Sequence, residues 1–259
     1  MSGGAGAIVV AVAVVVVALC GAVAIHNLSV ERRLRARLAK MNVTATSRIA
    51  DLVPGAVAEI AGVARALADV SPLASPLTAQ PCFYFRVAIK ESQGSSITHV
   101  ATHTDAVDLL LDDGSGTLAH VVMKDAAVGL THKPVEPGDE GRAGLLLAEL
   151  GIRKTVKELL WFEDIIEPGA ELYVLGTAKA PDADDGAEGS VFRESARPKI
   201  KVTAPEDGEL VVSVGDEATL ATSLREQQKN HAQIGNGFLI VTLVLGGGTA
   251  WLLLSFLSS

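Results

Sequence analysis

Two apolar stretches without a single charge, Ala7–Ile25 and Phe238–Leu257, lie at opposite ends of this 259-residue chain, and no comparable run separates them. Each is about 20 residues, the length a helix needs to cross the roughly 30 Å hydrocarbon core of a bilayer. Lipid offers the backbone no hydrogen-bonding partners, so only helices and closed barrels span it. Two transmembrane helices are therefore expected, over residues 7–27 and 237–257, with a short tail at residues 1–6 and a folded module between the spans.

The flanks orient the module. No Lys or Arg precedes Ala7, whereas Arg32, Arg33, Arg35, Arg37 and Lys40 follow the first span in an expected basic juxtamembrane helix over residues 28–44. Arg225, Lys229 and His231 precede the second span. The positive-inside rule then places the central segment in the cytoplasm and both termini outside, as in a bacterial inner membrane. The start Met1-Ser2-Gly3-Gly4 lacks the basic region of a signal peptide, and Leu19 rather than a small residue precedes Cys20, so a retained anchor is expected. The basic helix either sets topology or contacts anionic lipid, at about 1 kcal/mol per cation at best.

Residues 41–236 hold 17 basic and 29 acidic side chains, a net charge of −12. Nucleic-acid affinity comes largely from Lys and Arg displacing counterions, so a nucleic-acid partner is not expected. The two cysteines, Cys20 in the span and Cys82 in an apolar run, form no C-x2-C pair, which argues against structural zinc. Cys82 reads as a buried thiol.

Between the spans the pattern is one of short strands. Ala56–Leu67, Cys82–Lys90, Val107–Leu111, Leu118–Met123 and Glu171–Ala178 are β-branched or alternating segments of strand length. Asp112-Asp113-Gly114-Ser115-Gly116 reads as a hairpin turn, and Pro54-Gly55 and Pro168-Gly169 as strand-entry turns. Helices are expected over Gly144–Leu150 and Lys154–Leu160. The fold class is thus mainly β, a small OB-like or partly closed Greek-key barrel with one or two helices, flanked by two transmembrane helices. An open α+β sheet is the alternative. This β domain covers residues 45–178, followed by an acidic loop at 179–198, a late hairpin at 199–214, and a helix at 215–236 leading to the membrane. Asp216 is the expected cap of that last helix, with Leu220 and Leu224 on one face.

Candidate chemistry is sparse. His99 and His103 stand four apart near Asp105, a metal-pair spacing on a helix, but their Ser- and Thr-rich context reads as a loop or strand end. Asp112 and Asp113 are explained by the turn. Glu163 and Asp164 would point to opposite sides of a strand. In the acidic loop the glycine and Arg193 break the calcium-loop pattern. No nucleophile elbow, phosphate loop or H-E-x-x-H motif occurs. No catalytic, cofactor or metal residues are assigned.

Four segments carry a resemblance. Ser75-Pro76-Leu77-Thr78-Ala79-Gln80-Pro81-Cys82-Phe83-Tyr84-Phe85-Arg86 resembles the "SPLTGxPCxYYR" stretch of GIDE domains, also called BAM for "beside a membrane", with Ala79 where glycine is common. Ile49–Gly62, with Leu52, Pro54-Gly55 and Glu59, resembles the family's opening strand. Asp108–Gly116 resembles its "F-x-L-x-D-x-x-G" hairpin. Trp161–Gly176 resembles its "Y-x-E-x-x-L-x-P-G-D-x-V-Y-V-L-G" signature. The resemblance covers roughly residues 45–178. It implies kinship with membrane-anchored E3 ubiquitin ligases, in which a GIDE domain between two spans is followed by a zinc-binding RING. This sequence ends at Ser259 and has neither a following tail nor the cysteines for a RING, so ligase catalysis is not expected.

The expected function is a protein-binding adaptor or scaffold at the cytoplasmic membrane face. The alternative is a lipid-binding or membrane-organising protein, and a further one is a component of a ubiquitin-ligase-like system. Arg86, Tyr84, Trp161 and Glu163 are the candidate partner-binding residues, with Arg86 expected near Glu91, Asp112 or Glu163; each also has an ordinary structural reading. Arg32, Arg33, Arg35, Arg37 and Lys40 are the candidate anionic-lipid contacts. Gly246 and Ala250 form a small-xxx-small pair that suits packing of the chain's own spans, a homodimer or a partner helix.

Overall fold

The computed structural model describes residues 3–41, 46–68, 70–94, 96–130, 134–181, 198–206, 208–215 and 217–257; the side chains of 3–10, 36–41, 217–220, 223–224, 227 and 249–257 are outside that description. In chain order the elements are α1 (Gly3–Met41), β1 (Val57–Arg65), β2 (Leu73–Ala74), β3 (Pro81–Cys82), β4 (Tyr84–Gln93), β5 (Ser96–Ala106), β6 (Leu109–Asp112), β7 (Leu118–Val121) and β8 (Ala127–Gly129). After them come α2 (Glu140–Glu149), β9 (Leu159–Ile166), β10 (Glu171–Lys179), β11 (Pro198–Thr203), β12 (Val211–Val214) and α3 (Glu217–Leu257). The chain divides into two compact units: residues 44–220, and a helical unit made of residues 1–43 and 221–259.

Five strands of the first unit close a barrel. β1 pairs with β6, β6 with β7, β7 with β11, β11 with β10, and β10 returns to β1. All these pairs are antiparallel except β7–β11, which is parallel. Counting barrel strands alone, the order is first-second-third-fifth-fourth-first. The alternating apolar residues expected of half-buried strands fill the interior: Ala58, Ile60, Leu109, Leu111, Val121, Val174 and Val202 are 0% exposed. Two strand glycines permit close backbone approach. A Cβ at Gly62 would stand 2.6 Å from the Asp112 carbonyl oxygen, and one at Gly176 would stand 2.7 Å from that of Thr203. Closure replaces the partly closed barrel and the open-sheet alternative.

β12 continues the β10 edge beyond β11 and carries β8 as a parallel neighbour. β11 and β12 therefore lie in succession along β10 and do not pair with each other, so the late hairpin expected at 199–214 does not form. Each finds a full backbone partner in β10, and the connection only has to pass from one to the other.

A second layer is built from two insertions, β4 and β5 between the first two barrel strands and α2 and β9 between the third and fourth. β4 is flanked by β5 and β9 in a three-stranded antiparallel sheet. Phe85, Val87 and Ile89 of β4 pack with Leu159 and Trp161 of β9 against Ala143, Leu146 and Leu147 of α2, an i, i+3, i+4 face. α2 starts at Asp139, whose side chain accepts from the Gly141 N–H at 2.7 Å. Tyr84 points the other way, into the barrel core. The helix expected over Lys154–Leu160 is instead a single 3-10 turn, Val156–Glu158, leading into β9. Thr155 and Glu158 have the spacing of a helix start, and Glu158 does accept from the Thr155 N–H at 2.9 Å. Pairing of Leu159–Ile166 along β4 then outweighs helix continuation.

In the helical unit, the first span and the basic segment are one unbroken helix of 39 residues, about 58 Å long at 1.5 Å per residue. The segment Ala11–Arg35 is long and apolar enough to cross a membrane, and only 11% of its most apolar window is buried. α3 is likewise continuous over 41 residues, merging the two segments expected at 215–236 and 237–257. The helices run antiparallel: Gln228 donates to Glu31 at 3.0 Å, and His231 Nδ1 lies 2.9 Å from Asn27 Oδ1. Gly235 faces Leu28, Gly21 faces Thr242 and Gly246 faces Val17. Gly246 thus serves contact between the chain's own helices. The acidic segment 182–197, the Asp216 cap and the Leu220/Leu224 pair lie outside the described residues or side chains.

Candidate functional site

The two motif segments that carry most of the resemblance, some 80 residues apart in the chain, meet in the structure. β2 and β3 form a short hairpin whose tip, Ser75–Gln80, closes through Ser75 N–H to the Gln80 carbonyl at 2.9 Å. This tip wraps the carboxylate of Glu163 on β9. Leu77 N–H donates to Oε1 at 2.8 Å, while Thr78 Oγ1, Thr78 N–H and Ser75 Oγ reach Oε2 at 2.6, 3.2 and 3.2 Å. Glu163 is 7% and Ser75 0% exposed, so water contributes little to satisfying the charge. Burial of a carboxylate is tolerated when donors converge on it, as here. Ala79 in the same tip has φ of 60°, the left-handed region that favours glycine.

On the opposite face of β9, Asp164 receives both Nε and Nη2 of Arg86 on one oxygen, at 3.0 and 2.9 Å. The two residues are directly opposed in the β4–β9 register. Arg86 therefore pairs with Asp164 and not with Glu91, Asp112 or Glu163. Glu91 instead pairs with Lys154, and Asp112 with Arg65 at 2.8 Å. Tyr84 is 8% and Trp161 3% exposed, the latter donating Nε1–H to the Val156 carbonyl at 3.1 Å. Three of the four candidate partner-binding residues, Tyr84, Trp161 and Glu163, are thus buried, and the fourth, Arg86, is held in an ion pair. Glu163 alone joins the three-stranded sheet to the hairpin; Tyr84 packs in the barrel core, Trp161 in the layer with α2, and Arg86 is paired across β4 and β9.

His99 and His103 lie within the 11-residue strand β5, where a loop or strand end was expected. A register shift between Ile89 and Lys90 leaves Val100 as an extra residue: Lys90 opposes His99 and Val87 opposes His103. The bulge sends the two rings to opposite faces. His103 stacks obliquely on Phe85, with centroids 5.3 Å apart, and His99 Nε2 lies 2.8 Å from Thr102 Oγ1. Among the described residues, no group of three His, Cys, Asp or Glu side chains is placed to hold a metal ion.

One pair escaped the sequence reading. Asp108 accepts from the Met123 N–H and from His120 Nε2, each at 2.9 Å, bracing the β6–β7 hairpin. Burial pushes the Asp108 carboxyl up, but the His120 and Met123 bonds outweigh it and hold the group below the ordinary range. The available signal was positional, since Asp108 and His120 flank the Asp112–Gly116 turn. Cys82 is 0% exposed, and burial pushes its thiol up to about 11.

At the β1–β6 seam an open depression of about 480 Å³ is lined by Gly62, Arg65, Asp112, Asp113, Glu171 and neighbouring backbone. Burial pushes the Asp113 carboxyl up, but bonds from Ser115 and the Ile49 N–H hold it below the ordinary range. The depression is lined by Arg65, paired with Asp112, by Asp113, held by Ile49 and Ser115, and by exposed Glu171.

On the helical unit Arg32, Arg33 and Arg35 are exposed, and Arg35 bonds Glu31 at 2.6 Å. The side chains of Arg37 and Lys40 lie outside the described ones. No family model, curated protein or solved structure matches the chain.

Proposed function

We propose that this chain is a membrane-anchored adaptor or scaffold of the GIDE, or beside-a-membrane, type, with an OB-like β domain that docks a protein partner at the cytoplasmic membrane face and carries no ligase catalysis of its own. The observation that carries the reading is α1, whose apolar side chains, Val12, Val14, Val15, Leu19 and Ile25 among them, are turned outward and not into a protein core. A helix of that kind finds its apolar surroundings in lipid. α3 is taken as the second span, because Phe238, Ile240, Leu243 and Val244 are exposed in an uncharged run.

The barrel order first-second-third-fifth-fourth is that of OB-type barrels, which supports the OB-like part of the reading. Two features support the family part. The residues of two resembling segments contact each other through Glu163. Ala79 adopts a glycine-favouring conformation where the resemblance has glycine. The acidic domain and the depression beside Asp112, Asp113 and Glu171 favour a partner with a basic docking face.

The test is purification of the full chain from native membranes in mild detergent, against a control that keeps both helices and replaces residues 45–215 with an inert domain. A stoichiometric partner retained only by the intact chain, and rebound when both are purified, supports the adaptor. Recovery of the chain with lipid alone favours a membrane-organising protein, the reading to which exposed Arg32 and Arg33 point.

A further inference from the structure

The antiparallel contacts fix the heights of cations on the two helices relative to each other. Glu31 on α1 is level with Gln228 on α3, to which it is bonded at 3.0 Å. Arg32, Arg33 and Arg35 rise from Glu31 away from the apolar run, while Lys229 is adjacent to Gln228 and Arg225 stands one turn above it. At 1.5 Å per residue these five cations fall within an axial band of about 8 Å. All five are exposed, and only Arg35 has an ion-pair partner among the described residues. Two acids share the band: Glu31, which Arg35 and Gln228 occupy, and exposed Glu226. On one side of the band, the described side chains that both helices turn outward are apolar or small from Ile25 toward the start of α1 and from Gly237 onward in α3, and exposed Asn236 lies between that surface and the band. The headgroup layer of one leaflet is roughly 5–8 Å thick, so the band matches it in thickness, and the long Arg and Lys stems reach back across the roughly 7 Å that separates the band from Ile25 and Ile234.

We infer that Arg32, Arg33 and Arg35 of α1 together with Arg225 and Lys229 of α3 form a two-helix basic collar that binds the phosphates of anionic phospholipid headgroups. The ligand is a lipid and not a soluble anion, because the collar lies at the end of an outward-facing apolar surface that acyl chains cover. Guanidinium groups offer paired donors to phosphate oxygens, which a choline-masked headgroup of no net charge rewards less. The inference rests on reading α3 as a second span.

The experiment reconstitutes the full chain in phosphatidylcholine vesicles and compares spin-labelled phosphatidylglycerol with spin-labelled phosphatidylcholine at the protein surface by electron paramagnetic resonance. A preference for the anionic lipid is expected, lost at 1 M salt, where screening shortens to about 3 Å. Arg225→Gln/Lys229→Gln should lower it by roughly fivefold, as should Arg32→Gln/Arg33→Gln. The charge-preserving Arg225→Lys/Lys229→Arg should retain it. Unchanged selectivity in the α3 double variant overturns the collar, as does competition by inorganic phosphate at constant ionic strength. A spin label at Leu245→Cys, in a Cys20→Ser background, reports separately on the span. A label in contact with lipid-dissolved oxygen, combined with unchanged selectivity, defeats the collar alone. A label exposed to water defeats the two-span reading on which it rests.

Discussion

Glu163 takes four hydrogen bonds from a six-residue hairpin tip, and that single carboxylate organises the loop on which the "SPLT" resemblance rests. Glu163→Gln removes the charge and turns a donor toward donors, and should cost about 2–4 kcal/mol; the denaturant midpoint followed by Trp161 fluorescence measures it, and an unchanged midpoint would show that the tip does not depend on the carboxylate. Ala79→Gly should move the midpoint the other way. Relief of left-handed strain, about 1–2 kcal/mol, exceeds the added chain entropy of about 0.4–1 kcal/mol. Cys82, with its thiol pushed up to about 11, should resist thiol reagents at pH 8 in a Cys20→Ser background and react only as the domain unfolds. Asp108 and Asp113 both have folded carboxyl values held below the unfolded value of about 3.9. Their contribution is therefore present above about pH 4 and lost as pH falls through the folded values, so the midpoint should be insensitive to these groups between about pH 5 and 7 and drop in acid. Asp113→Asn should flatten part of that drop. At this scale the sequence identified Glu163 and Arg86 as residues of interest but not their partners. The opposed directions of Glu163 and Asp164 follow from strand parity alone, whereas Ser75 and Thr78 are brought to Glu163 by tertiary pairing that no local pattern encodes.

Elements were legible where burial imposed a period. β1, β4, β6, β7, β10, β11 and β12 all fall within or close to the apolar segments read as strands, because one face of each must fill a core. β5 was not legible: it is an edge strand, largely exposed, and its Ser, Thr and His residues need no apolar alternation. β9 is legible only in part: the helix expected over Lys154–Leu160 overlaps its first two residues, while Glu163 and Asp164 do take the opposed directions expected of a strand. The pairing of β1 with β6 depends on a bare Cα at Gly62. Gly62→Ala places a methyl 2.6 Å from the Asp112 carbonyl and should destabilise the barrel by about 2–3 kcal/mol. Thermal unfolding would show it, and a neutral result would mean that the seam can open without loss. The bulge at Val100 also explains why no pairwise His spacing could be trusted on β5. One inserted residue reverses the face of everything beyond it.

At the level of the molecule, charge asymmetry predicts topology. An impermeant thiol reagent should label Ser258→Cys in intact cells and Ser92→Cys, at an exposed strand position, only after permeabilisation; the reverse pattern would invert the proposed orientation. The first apolar run and its basic flank made a long, outward-facing apolar helix legible, and the strand count suggested a barrel. Closure was not legible, because the pairing that achieves it joins β1 to β10 across more than 100 residues. That pairing has a consequence for biogenesis. Translation proceeds at about 5–20 residues per second, so a ribosome needs on the order of 10 s to go from β1 to β11. Throughout that interval the opening meander exists as an uncapped sheet with unpaired edges, on a nascent chain whose leading helix has already emerged. Such a precursor is open to misassociation with a neighbouring nascent chain, and its yield should depend on elongation rate and on holdase supply more steeply than the stability of the finished barrel would suggest.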